Sequence, residues 1–337
     1  MAFNRFTLSA ALAIGLGLGA ASAADADQLT VASFVPPQHH TNAVMFTWLA
    51  AELEKRSGGD LTLQVFPAGQ LGAGPVQQYR RVVEGVADIT FGVSAYTPTI
   101  FPRTMLAILP GKAETSAEAT QRIMAVYDDY LAPEYENVVM LGLATAPGVG
   151  IASTRKLETL ADYEGAKIVP YAALTTPLIE AMGAVPVQMP VTEMYTGLST
   201  GTIDGAYATW NNMTPPWNFW DVADYFVENV PVQHAVVFVL MNRERYEGLS
   251  PKHRAIIDDL AGEAISMQIA ASFDGADAKS LDMVAAQDPA TFERVRMSDA
   301  ERARVDAALA KGLEVIFADY ESRGITDARE IYEALNR

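Results

Sequence analysis

The stretch "QHAVVFVLMN" at residues 233–242 decides how this chain folds. It has the length and the β-branched, aliphatic composition of a long strand. It arrives only after enough strands and helices for two complete units have gone by. In the first half, residues 28–34, 60–67, 88–93 and 138–144 read as strands. Within 60–67, Leu61, Leu63 and Val65 alternate with polar neighbours. Between them, 41–58, 75–87 and 116–132 read as helices. The second half repeats the logic: strand 166–169, a helix over 175–183 closed by Gly183, strand 184–189, a helix over 192–201 with Thr192 as N-cap and Gly201 as stop, and strand 202–209. A single sheet would need about ten strands. Two α/β lobes with mostly parallel sheets are therefore expected, and strand 233–242 crosses back from the second lobe to the first. Beyond Ser250-Pro251 the chain is almost all helix, with Ser298 and Glu301 spelling a capping box. A cleft between lobes, lined by strand ends, is where such folds place ligands.

Composition narrows the function. The chain has 337 residues, of which 50% are hydrophobic and 19% charged, and a formal net charge of −17. That balance suits a folded globular protein and opposes nucleic acid, whose phosphates call for a basic face. It also disfavours docking on anionic lipid. The N-terminal "MAFNRFTLSAALAIGLGLGAASA" places Arg5 before an apolar run and ends in Ala21-Ser22-Ala23, the pattern of a cleaved secretory signal peptide over residues 1–23. A periplasmic, monomeric protein is expected. There is no cysteine, which excludes disulfides, zinc–thiolate sites and thiol nucleophiles.

Enzymatic motifs are missing. There is no G-x-S-x-G, no phosphate-binding loop and no H-E-x-x-H, and Gly148-Val149-Gly150 reads as a loop rather than a dinucleotide fingerprint. No cofactor or metal is expected. His39-His40 is the one histidine pair, and adjacent side chains diverge in most backbone conformations, which opposes a shared metal. Asp128-Asp129 and Asp258-Asp259 fall on helix faces turned to solvent. The segment "YATWNNMTPPWNFWDVADYF" (207–226) holds three of the four tryptophans. Phe219, Trp220 and Tyr225 read as core, whereas Tyr207, Trp210 and Trp217 flank a strand end and an irregular loop, positions suited to a cleft wall.

Together these segments resemble the periplasmic solute-binding proteins of TRAP (tripartite ATP-independent periplasmic) transporters, of the dicarboxylate-binding DctP type. "LTLQVFPAGQLGAG" with "VVEGVADITFG" is similar to the family's first-lobe signature. "TLADYEGAKI" with "AMGAVPVQMPVTEMYTGLSTGTIDGAY" is similar to its second-lobe signature, and "NFWDVADYF" to the helix that follows. The resemblance implies an α/β, two-lobed periplasmic-binding-protein fold (type II-like) with a helical C-terminus. Lobe I would take residues 24–146 plus 234–273, and lobe II 147–233 plus 274–337. It further implies a non-enzymatic receptor that closes on a small organic solute and delivers it to separate permease subunits in the membrane.

The departures from that family are specific. The motif seen here as "GAKIV" usually ends in an arginine that clamps a carboxylate, and this chain has Val169. A second common arginine falls near Val149, and Ala208 stands where an asparagine would be. A carboxylate buried without a cation carries a large desolvation cost. Either another cation replaces the arginine, with Arg103 and Arg155 as candidates, or the ligand is neutral, aromatic or cationic. For the second case Val169, Tyr171, Tyr207, Trp210 and Trp217 would line an apolar, aromatic pocket. Tyr96 in the loop "SAYTPTIFP", His39, His234 and Arg103 complete the expected ligand contacts. An extracytoplasmic sensor of the same architecture is the alternative to a transport receptor.

Overall fold

The computed structural model describes residues 27–148, 150–230, 233–287 and 292–337. The expected signal peptide and Val149 lie outside the described residues. Eleven strands form among them: β1 (Asp27–Ser33), β2 (Leu61–Phe66), β3 (Ile89–Val93), β4 (Val138–Pro147), β5 (Gly150–Ser153), β6 (Lys167–Val169), β7 (Val185–Pro186), β8 (Gly205–Ala208), β9 (Tyr225–Val227), β10 (His234–Asn242) and β11 (Glu293–Val295). They build two sheets, one ordered β2-β1-β3-β10-β4 and the other β11-β9-β5-β8-β6-β7.

The chain passes from one sheet to the other between β4 and β5 and returns between β9 and β10. Pairing is more mixed than the sequence suggests. β1 is parallel to β2 and β3, β6 to β7 and β8, and β9 to β11. Every antiparallel pair contains β5 or β10. These two strands enter directly from the other sheet, without the helical crossover that a parallel connection needs. β10 is buried on both sides: Val236, Phe238 and Leu240 join one core cluster, while Val237, Val239 and Met241 join the other. Two-sided burial explains its uninterrupted apolar run.

Local details also depart from expectation. The helix Val191–Ser199 starts early, with Pro190 at its N-cap position and no side-chain cap, so Thr192 falls inside its first turn. Ser298 does accept from Glu301 N–H, but the Glu301 carboxylate turns away to accept from Leu160 N–H at 3.0 Å, so the box is half formed. "NFWDVADYF" is not a helix: Phe219–Asp221 makes one 3-10 turn and Tyr225–Val227 pairs as β9. There the pull of an open sheet edge beside β5 outweighs local helix preference.

The helix Glu263–Ala285 runs unbroken along both bodies. Its Ile265, Ile269 and Phe273 pack on the first sheet's core, and Val284 packs on the second's. Gly142 on β4 permits that approach, because a Cβ there would lie 2.6 Å from Ile265 Cγ2. Two carboxylates pin this helix, one to each side. Asp274 accepts from Ser116 N–H (2.7 Å) and Ala117 N–H (3.1 Å) at the start of the helix Ser116–Ala125. Asp277 accepts from Asn211 through its backbone N–H (2.8 Å) and its side-chain amide (2.7 Å). Free N–H groups at a helix start are costly to leave unmet. Asp274→Ala should therefore lower stability by about 1–2 kcal/mol in urea unfolding, with Asp274→Asn losing less.

Candidate ligand cavity

Between the two sheets lies a cavity of about 90 Å³. From the first body come the aromatic and aliphatic walls Phe34, Phe91 and Val237, together with His39 and Tyr96. The second body supplies Tyr171, Tyr207 and Trp217, backed by Met189 and Met194. Five residues singled out in the sequence thus meet here: His39, Tyr96, Tyr171, Tyr207 and Trp217. The two bodies touch across the cavity. Tyr96 Oη accepts from Val191 N–H at 3.1 Å, and His39 meets Trp217 edge to face with ring centroids 5.8 Å apart.

The other four expected contacts lie elsewhere. Val169 is fully buried in the core beneath the second sheet, beside Ala206 and Ala208, because its register opposite Ala206 turns it into that layer. Trp210 packs on Phe226 at 4.2 Å between centroids, with the Arg294 guanidinium over its ring at 5.0 Å. His234 opens β10 near Arg122 in a separate small cavity. Arg103 is engaged by Asp327 at 3.0 Å, and its backbone N–H by Glu134. Arg155, the other candidate cation, donates to Asp162 O and sits 3.8 Å from Asp204. Sequence reasoning passed over Thr209, Asn211 and Asn212, which also line the cavity. Their signal was the "TWNN" that follows β8, where Thr209 and Asn212 cap a short helix reciprocally.

His39 and His40 do not diverge. Their rings lie 4.1 Å apart and tilted by 32°, each held by a different aromatic partner, Trp217 and Phe273. Their Nδ1 atoms are used separately: that of His39 accepts from Thr41 N–H at 3.2 Å, and that of His40 meets Ser272 Oγ at 3.0 Å. Burial pushes the His39 imidazole down to about 3, so it stays neutral with its Nε2 carrying the proton. Burial likewise raises the Tyr96 phenol to about 12. The cavity is therefore lined by uncharged groups. No lysine or arginine is among its described lining residues. Behind Asn211, burial pushes the Asp277 carboxyl up to about 6 against the opposing pull of the two Asn211 hydrogen bonds.

Glycines shape the cavity's edge. A Cβ on Gly148 would lie 2.4 Å from both Gln233 O and the Tyr171 ring, and one on Gly150 would lie 2.2 Å from Val227 O. Gly148 and Gly150 are thus each hemmed in by a second chain segment and an aromatic ring, Tyr171 for the first and Phe226 for the other.

A family model described as bacterial extracellular solute-binding protein, family 7 (DctP), matches residues 31–319. Among solved structures, a marine metagenome TRAP solute-binding protein specific for aromatic acid ligands, in complex with metahydroxyphenylacetate, is similar. It is 27% identical, with a TM-score of 0.84 over 92% of this chain and 97% of that one. A TRAP solute-binding protein from Rhodoferax ferrireducens T118, in complex with copurified benzoate, is 25% identical with a TM-score of 0.83 over 91% and 96% of the two chains. The 2,3-diketo-L-gulonate-binding periplasmic protein YiaO of Escherichia coli is 27% identical over 222 residues, spanning 64% of this chain and 66% of that protein.

Two outcomes follow from this geometry. Gly148→Ala should displace Tyr171, lowering stability by roughly 1–3 kcal/mol as overpacking does and weakening binding of any cavity ligand in calorimetry. Acidification should also destabilise the protein. The folded pKa of His39 is about 3 and that of His234 about 4, both below the ordinary value of 6.5. The unfolded chain then binds more protons at pH below 6.5, and each such histidine removes up to about 1.4 kcal/mol per pH unit as pH falls. Asp277 works in the opposite sense below about 6, as does Glu134, whose carboxyl burial also raises. His40 adds to the histidine side. The melting temperature should fall from pH 7 to pH 5, and the His39 and His234 ring resonances should not titrate over that range.

Proposed function

Because the chain belongs to the DctP family, the bacterial extracellular solute-binding proteins of family 7, we propose that it is the solute-capturing component of a TRAP-type importer, and that its ligand is a compact aromatic molecule without net negative charge. Its work is binding and release, with no bond made or broken. The first 23 residues direct export and are removed, leaving the protein in the periplasm. Among the described residues no helix is long and apolar enough to cross a membrane. The protein acts as a monomer and hands its solute to separate permease subunits in the membrane.

The observation that carries the ligand class is the character of the cavity wall. Aromatic and aliphatic groups surround a space of about 90 Å³, the described lining residues include no lysine or arginine, and a carboxyl group stands just behind the wall at Asp277. A ring is well served by Phe34, Phe91 and Trp217 through dispersion and edge-to-face contact. A carboxylate is not: losing its water without a cation costs several kcal/mol. Arg103 and Arg155 are committed to partners outside the cavity. The aromatic acids and benzoate bound by the two similar structures share the ring that this wall favours. What changes here is the head group.

A thermal-shift screen of the whole protein tests this. Acetophenone and benzyl alcohol should raise the melting temperature, while benzoate and C4-dicarboxylates should not. A response confined to carboxylates would overturn the neutral-ligand claim. Val169→Arg should lower stability markedly, since it forces a guanidinium into a packed apolar layer, and should not tighten binding of a neutral aromatic solute in the same assay.

A further inference from the structure

His39 keeps one polar atom unused. The residue is only 4% exposed and lines the cavity between the lobes, whereas its neighbour His40 lines a separate groove beside Ser272 and Gly275. The Nδ1 of His39 is committed, accepting from Thr41 N–H at 3.2 Å. Its Nε2 has no hydrogen-bond partner among the described residues, yet it is not sealed within packing as the hydroxyls of Tyr171 and Tyr207 are. The little surface that His39 retains therefore includes this atom, and the cavity is the space that the residue lines. An unused polar group at the wall of a largely apolar cavity marks a place for one complementary ligand atom.

The other end of the ring fixes what Nε2 can do. A backbone N–H can only donate, so Nδ1 must present a lone pair to Thr41 and the ring proton sits on Nε2. Burial holds the imidazole neutral, with its pKa pushed down to about 3. In this state Nε2 donates and cannot accept. The ring's position is held from two further sides. Trp217 meets it edge to face with centroids 5.8 Å apart, and the His40 ring lies against it at 4.1 Å. Thr41 opens the helical segment Thr41–Phe46, so the anchor of Nδ1 is itself part of a regular element.

With the cavity taken as the solute site, as proposed above, we infer that His39 Nε2–H is the donor that selects the solute's polar group, and that the solute is an aromatic compound bearing an uncharged hydrogen-bond acceptor. A carbonyl or ether oxygen meets this N–H with a lone pair. A hydrocarbon leaves it unmet. An ammonium group would bring one donor against another and gain nothing there, which removes the cationic class that the sequence leaves open. The aromatic body of the solute fits the apolar wall.

Calorimetry on the whole protein with acetophenone, ethylbenzene and benzylammonium tests this. The first two probes share ring and size and differ in the carbonyl oxygen. Wild type should bind acetophenone at least roughly tenfold more tightly than ethylbenzene, about 1.4 kcal/mol, and benzylammonium no more tightly than ethylbenzene. Two variants separate the donor from its anchor. His39→Asn offers Thr41 N–H an amide oxygen in place of Nδ1 and has no atom that reaches the Nε2 position. His39→Gln carries an NH2 to that position and gives up the anchor. The preference for acetophenone should fall below roughly threefold in His39→Asn and persist in part in His39→Gln, even though the second variant melts lower. An unchanged preference in His39→Asn, or equal wild-type affinity for acetophenone and ethylbenzene, would overturn the donor assignment. So would tighter binding of benzylammonium than of acetophenone. Tighter binding of benzoate than of acetophenone, lost in His39→Asn, would keep the donor and overturn the uncharged-ligand reading instead.

Discussion

The structure turns on one close approach. Where the chain passes between the lobes, Gly148 N–H donates to Gln233 O at 3.0 Å. A side chain at 148 has no room, because the space is filled by that carbonyl and by the Tyr171 ring. The crossing thus does two things at once. It lets the chain leave one sheet and return to it, and it seats an aromatic ring at the cavity's edge.

Around this crossing the lobes are tied by a small number of directed interactions. The long helix Glu263–Ala285 is anchored on one side by Asp274 and on the other by Asp277, three residues later. Across the cavity, the contact of Tyr96 with Val191 N–H and that of His39 with Trp217 join the walls. Asn211 belongs to both systems, lining the cavity while donating to Asp277. A solute that alters the wall at Asn211 acts directly on the helix that spans both lobes.

In the proposed reading no charged clamp holds the solute, which changes what selectivity costs. An arginine gives a carboxylate a bidentate, charge-assisted partner. Uncharged contacts give less energy each, but their desolvation is also smaller. Recognition then rests more on shape and ring contact, which the aromatic wall provides. Val169, where the family's arginine is expected, is absorbed into packing with Ala206 and Ala208.

The alternation of strands and helices, the late strand 233–242 and the lobe signatures made the two-lobed fold legible in the sequence, because apolar periodicity and turn residues act locally. The missing arginine at Val169 was equally plain, since Gly165 and Lys167 fix the register around it. The convergence of His39, Tyr96, Tyr171, Tyr207 and Trp217 was decided only in three dimensions. These residues come from four separate stretches, and their meeting depends on how two sheets are set against each other. Trp210 and His234 had equally suitable chemistry and were turned into packing elsewhere. β9 and β11 were invisible for the same reason, being three-residue strands that exist only because a neighbouring strand offers them an edge. Composition and periodicity specify which elements form, and tertiary packing decides which side chains share a space.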